Sequence, residues 1–208
     1  MSRRIGLRHV PSMLWKYPWE DLRKYVKVDP SAKIVVSGNG LRVTYTQVSA
    51  AYIGWLRKAK AFVGDYSIRF EVVCTGHRGN VLYNGDWYCL AVMNNATPEL
   101  ATYCGGVIAS EALGVGPKLG IFQGGSAGQY PQVTQAINQD QIYYCTLSRA
   151  SGTLTLGIYT DAARSVLLAT LTSPTVLTTS GTQIFACNGD TGEESGWISG
   201  YTQKILIA

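Results

Sequence analysis

Three acidic residues come nearest to catalytic chemistry in this chain: Glu71 in RFEVVC, and Glu193 with Glu194 in GDTGEESG. Cleaving a glycosidic bond takes two carboxyl groups about 5–9 Å apart, one on each side of the scissile bond. Glu71 stands alone, with Asp65 its nearest acid in sequence, and has the opposite parity to the apolar residues around it. It reads as a solvated residue on a β-face. The Glu193–Glu194 pair sits among Gly, Asp, Thr and Ser and reads as a charged turn.

The other reactive side chains form no set either. His9 and His77 are far apart and no HExxH occurs, so no zinc site is proposed. Ser110 and Ser126 lie in glycine-rich stretches without GxSxG, and GVGPKLG lacks the GK[ST] of a phosphate loop. Cys74, Cys89, Cys104, Cys145 and Cys187 contain no CxxC. They read as free, buried thiols, with one disulfide pair as the alternative. The chain is not expected to be an enzyme. Sugar recognition needs less: an aromatic platform with amide or carboxylate partners. Tyr83, Asn84, Asp86, Trp87 and Trp197 lie in or near apparent loops and are the candidates for it.

The elements that would position these residues are strands. The chain has 208 residues, 46% apolar and only 15% charged, which suits one domain with a sizeable core and a low surface charge. No apolar run is long enough for a membrane-spanning helix, and the N-terminus lacks the continuous apolar stretch of a signal peptide. From residue 33 the hydrophobic period is mostly two. KIVVSGNGLRVTYTQ reads as a hairpin around Ser-Gly-Asn-Gly. In DYSIRFEVVC, Ile68, Phe70 and Val72 share one face; in TLTLGIYTD, Leu154, Leu156 and Ile158 do the same. All six are expected in the core. AAYIGWLRKAKAFVG is ambiguous, with a strand followed by a basic turn the better fit. About a dozen short strands and almost no helix predict an all-β fold of two antiparallel sheets packed face to face.

Residues 1–32 read as an extended N-terminal arm preceding a sandwich of residues 33–208. WEDLRKYV is long enough for one or two helical turns. Charge divides along the chain: residues 1–60 hold twelve Lys or Arg against three acids, and the remainder six against ten. A basic, aromatic arm needs a surface to cover it. Arg3, Arg4, Leu14, Trp15, Trp19, Leu22 and Tyr25 are the candidate contacts with another subunit. Nucleic acid is not expected as a partner, because the basic groups, including RKAK at 57–60, lie outside any recognisable strand-binding platform.

The order of the pieces carries a likeness. GDYSIRFEVVCTG, YCLAVMNNATPEL, IYYCTLSRASGTLTLGIYTD and a closing GWISGYTQKILIA together resemble the concanavalin A-like lectin/glucanase jelly roll. Tyr143, Tyr144, Arg149, Gly152, Leu154, Leu156, Ile158, Tyr159, Asp161, Gly200 and Tyr201 stand at its late-strand positions. The glucanases of that superfamily carry an E-x-D-x-x-E strand, which is absent here. LAVMNNATPEL also resembles bacteriophage structural proteins of this fold. The resemblance implies a non-catalytic virion assembly protein that self-associates through its arm. The alternative is a carbohydrate-binding module at the cell surface or outside the cell, and a glycoside hydrolase ranks third. The family also allows calcium, for which Asp86, Asn94, Asn95, Asp161, Asn188 and Asp190 are the oxygen donors. A hard cation needs six or more oxygens converging, and single turn aspartates usually cap their own turn, so no cofactor is assigned.

Overall fold

The computed structural model describes residues 18–46, 52–78, 85–96, 103–112, 116–122, 133–174, 176, 178–191 and 197–208. They form one 3-10 turn, Leu22–Lys24, and then strands β1 (Val26–Val28), β2 (Ile34–Ser37), β3 (Arg42–Thr46), β4 (Tyr52–Phe62) and β5 (Tyr66–Arg78). The chain continues with β6 (Gly85–Met93), β7 (Tyr103–Ala112), β8 (Gly116–Phe122), β9 (Val133–Ala136) and β10 (Tyr143–Ala150). The last four are β11 (Thr153–Tyr159), β12 (Leu167–Thr172), β13 (Gly181–Thr191) and β14 (Trp197–Ile207).

Two seven-stranded sheets result. Sheet A runs β1-β4-β13-β6-β7-β8-β9, and sheet B runs β12-β11-β10-β5-β14-β3-β2. Each neighbouring pair is antiparallel. The architecture is the two-sheet antiparallel jelly-roll sandwich that the period-two pattern predicts. The β2–β3 hairpin turns through Gly38, Asn39 and Gly40, all at positive φ, which explains the Gly-Asn-Gly spelling. Residues 52–62 of the ambiguous stretch are strand: Arg57 to Lys60 lie inside β4 rather than in a basic turn.

Sheet B contributes its half of the core by plain alternation. Ile68, Phe70 and Val72 of β5 face Leu147, Cys145 and Tyr143 of β10, which in turn bring Leu156 and Ile158 of β11 into line. All six residues expected in the core, Leu154 among them, are buried there. Four of the five cysteines, Cys74, Cys89, Cys145 and Cys187, are free and buried. Burial pushes the Cys145 and Cys187 thiols far above their ordinary range, so they behave as small apolar groups.

Sheet A meets this surface through β6, and the closest fit is with β14. Trp87 is fully buried and stacks on Tyr45 of β3, with ring centroids 6.3 Å apart and planes at 19°. Its ring lies where Gly200 has no side chain; a Cβ at Gly200 would run into the Val73 carbonyl and the indole itself. Two residues on, the Thr202 hydroxyl donates to the Cys89 carbonyl at 2.9 Å, a buried hydrogen bond from one sheet to the other. Glu71 departs from its expected solvated position. It is 7% exposed and accepts from Gln203 Nε2 at 2.7 Å and Lys204 Nζ at 2.9 Å, so it ties β5 to β14.

Gly200→Ala should therefore cost about 1–3 kcal/mol of stability or more, since neither the carbonyl nor the buried ring can move aside cheaply. A denaturant midpoint equal to that of the unmodified chain would contradict the fit.

Candidate functional site

The face of sheet A that points away from sheet B is apolar. On β6, Trp87, Cys89, Leu90 and Val92 join the inter-sheet core, whereas Tyr88, Ala91 and Met93 belong to a second cluster with Phe122 of β8 and Phe185 of β13. Bulges at Cys89–Leu90 and between Phe185 and Cys187 keep the two sets in phase. Register lines up Arg57, Phe185, Ala91, Gly106 and Phe122 across five strands. The next line holds Trp55, Asn188 and Tyr88. Tyr88 meets Phe122 edge-on at 4.9 Å.

At the β1 side this cluster ends in a polar margin. Trp55 packs against it half-buried, and Arg57, two residues along β4, has the same parity. Their partners on β1 are Val28 and Val26, both exposed. Arg57 Nη1 donates to Gln183 Oε1 at 3.2 Å. The indole Nε1 of Trp55 and the Nε of Arg57 are both shielded from solvent and make no hydrogen bond. The arrangement combines an indole, an amide and a guanidinium at the margin of an apolar cluster, with two unmet donors just beneath the surface.

The candidates from sequence do not assemble into this site. Trp87, at 0% exposure, is inter-sheet core and cannot stack on a ligand, because its run WYCLAVM is buried on both faces rather than looped. Trp197 opens β14 opposite Arg78, in the other sheet from Asp86. Tyr83 and Asn84 lie outside the described residues. The register does gather three of the oxygen donors: Asp86 is the cross-strand partner of Asp190, next to Asn188. Asn94 and Asn95 follow the far end of β6, about 25 Å from Asp86 by the rise of a strand. Asp161 caps its own turn, accepting from the Ser165 and Val166 amides and the Ser165 hydroxyl. The six donors therefore do not converge on one ion. Among the described residues, no group of three His, Cys, Asp or Glu side chains could hold a metal. Sequence reasoning missed Trp55, Arg57 and Gln183, although the alternation Trp55, Arg57, Ala59 was available to it.

No family model and no curated protein sequence matches the chain. Solved structures do. A functionally unknown protein from Saccharomyces cerevisiae aligns at a TM-score of 0.60 and 11% identity, over 91% of this chain and 98% of that one. The exoplasmic/lumenal domain of VIP36, in a Ca2+/Man-bound form, aligns at 0.59 and 12%, over 90% and 86%. The CBM2 module of Lactobacillus casei BL23 phage J-1 evolved Dit aligns at 0.52 and 9%, over 86% and 81%. The fold is related to the concanavalin A-like lectins. At such identities the likeness concerns the fold alone.

Within this concanavalin A-like frame, residues 18–32 are part of the body. The arm boundary expected at residue 32 falls between β1, an edge strand of sheet A, and β2, an edge strand of sheet B. Leu22 and Tyr25 were expected against another subunit; they are 1% and 6% exposed and belong to the chain's own core. Backbone bonds explain why: the Glu20 amide donates to the Ile205 carbonyl and the Leu22 amide to Gly40, each at 2.7 Å. Lys58 Nζ adds an ion pair to Glu20 at 2.7 Å and lies over the Tyr25 ring. Trp19 is half-buried, and Arg3, Arg4, Leu14 and Trp15 lie outside the described residues.

Asp21 caps the 3-10 turn, and its hydrogen bonds from the Arg23 guanidinium hold its carboxyl down at about 2. A depressed carboxylate stabilises the fold above its unfolded value near 3.9, and the contribution fades as pH falls through the folded value. The stability difference between the native chain and Asp21→Asn should thus be present at about pH 5 and lost at about pH 1, below the folded value. Denaturant titrations of both at the two pH values test this; a difference that persists at the lower pH would contradict it.

Proposed function

We propose that this chain is a non-catalytic carbohydrate-binding module that reads glycans at the β1–β4–β13 margin of sheet A, outside the cell or at its surface. The observation that carries the reading is the half-buried indole of Trp55 two residues along β4 from Arg57, whose guanidinium bonds Gln183, at the margin of an apolar cluster. Sugars present an apolar ring face and a fringe of hydroxyls, and such sites pair an aromatic surface with a few planar polar groups. The fold shared with a mannose-bound VIP36 domain and a phage CBM2 module supports it. Glu71, the carboxylate most suggestive of hydrolysis, is on sheet B and committed to Lys204.

The full chain should bind saturably to members of an immobilised glycan panel and release no reducing ends from them. Trp55→Ala should weaken the retained interactions about tenfold or more while leaving the β-sheet circular dichroism unchanged. Absence of binding to every saccharide would overturn the reading, and turnover would overturn its non-catalytic part.

A second reading, a virion component that assembles through the N-terminal segment, is favoured by the phage module alone. Because residues 20–28 are bonded into the body, the contact would fall to the stretch that holds Arg3, Arg4, Leu14 and Trp15. Removing residues 1–17 should then reduce the mass measured by light scattering without unfolding the sandwich. An unchanged mass would exclude this use of the segment.

A further inference from the structure

We infer that the site on sheet A takes a carboxylate, and that the glycan it reads carries an acidic sugar such as a uronic acid; this rests on the carbohydrate-binding reading above. The argument starts from an imbalance. A shielded N–H without an acceptor costs stability, and buried polar groups are nearly always paired. Here two such donors, Trp55 Nε1 and Arg57 Nε, sit two residues apart on one strand and on one face. Arg57 also lacks an ion-pair partner among the described residues, whereas its neighbour Lys58 is matched by Glu20.

The orientation of the guanidinium narrows the ligand. Nη1, on one edge, is occupied by Gln183. The opposite edge, Nε with Nη2, is the side-on fork that fits the two oxygens of a carboxylate. The same chain shows that fork in use: Arg23 donates from Nε at 2.8 Å and from Nη2 at 2.9 Å to the two carboxyl oxygens of Asp21. Arg57 has no carboxylate at that edge, and the Trp55 indole N–H, two residues along the same strand, is a further unmet donor. A neutral hydroxyl would satisfy one donor; a carboxylate can accept from all three. Both the Arg57 Nε and the Trp55 Nε1 are screened from water in the free chain, so entry requires both side chains to turn, Arg57 about its 3.2 Å bond to Gln183. A saccharide is favoured over an acidic peptide because exposed Val26 and Val28 and the indole border the fork with apolar surface, which a pyranose ring covers.

The test uses the full chain and three probes in calorimetric titration: an oligogalacturonide, its methyl ester, and an oligoglutamate peptide of similar length. The expected result is binding of the acid, with the ester and the peptide each weaker by about tenfold or more. Arg57→Lys, which keeps the charge and loses the fork, should remove most of the preference for acid over ester. The β-sheet circular dichroism of the same variant should match that of the unmodified chain. Equal affinity for acid and ester, or a preference untouched by Arg57→Lys, overturns the acidic-sugar inference and leaves the carbohydrate-binding reading standing. Peptide binding equal to that of the saccharide overturns the choice of ligand class. If neither the galacturonide nor any panel glycan binds, both readings fall together.

Discussion

The sandwich depends on how β6 of sheet A meets β14 of sheet B. Two sheets can pack in many offsets if their facing surfaces are merely apolar, because burial is non-directional. Here the offset is keyed. Trp87 is the largest fully buried side chain, and it fits only where Gly200 leaves the backbone bare. The Thr202–Cys89 hydrogen bond then fixes the relation along the strand, since an unmet buried hydroxyl would be costly in any other offset. From β14 the constraint spreads sideways: Gln203 and Lys204 hold Glu71 on β5, and β5 sets the register of β10 and through it of β11.

The N-terminal segment follows from the same strand. Its first described backbone bond goes to Ile205 of β14, and Leu22 closes the core beside the β2–β3 turn. Gly40 is again the residue that makes room, lying where Asp21 and Arg23 pack over the turn. Composition had suggested that Leu22 and Tyr25 await a partner chain. The partner is the body itself, and the surface that β1 covers is the exposed flank of β4.

How much of this was legible in the sequence depended on the sheet. Sheet B strands have one core face and one wet face, so Ile68, Phe70 and Val72 separate cleanly from Ser67, Arg69 and Glu71, and the core assignment follows from parity. The wet face behaves as such: Ser67 meets Ser148 at 3.4 Å, Thr75 meets Ser199 at 3.2 Å, and Arg42 lies over Tyr201. Parity could not say that Glu71 is paired rather than solvated, because its partners come from residues more than a hundred positions away. It also could not place Trp87. In WYCLAVM the bulge at Cys89–Leu90 resets the phase, and an unbroken apolar run gives no sign of which residues face which side.

That failure of alternation is itself informative. A strand that is wet on one face must alternate, while a strand covered on both faces need not. WYCLAVM in β6 and IFAC in β13 do not alternate, and their residues divide between the inter-sheet core and the second cluster around Tyr88, Phe122 and Phe185. Among the described residues, sheet B has no such second apolar cluster, and in sheet A the cluster is itself covered: Tyr88, Ala91, Met93, Phe122 and Phe185 are all buried within the chain, while Trp55 and Arg57 at its β1 margin are half-buried. The two sheets share one architecture and differ in how they are covered, and the difference is written in which of them breaks the period of two.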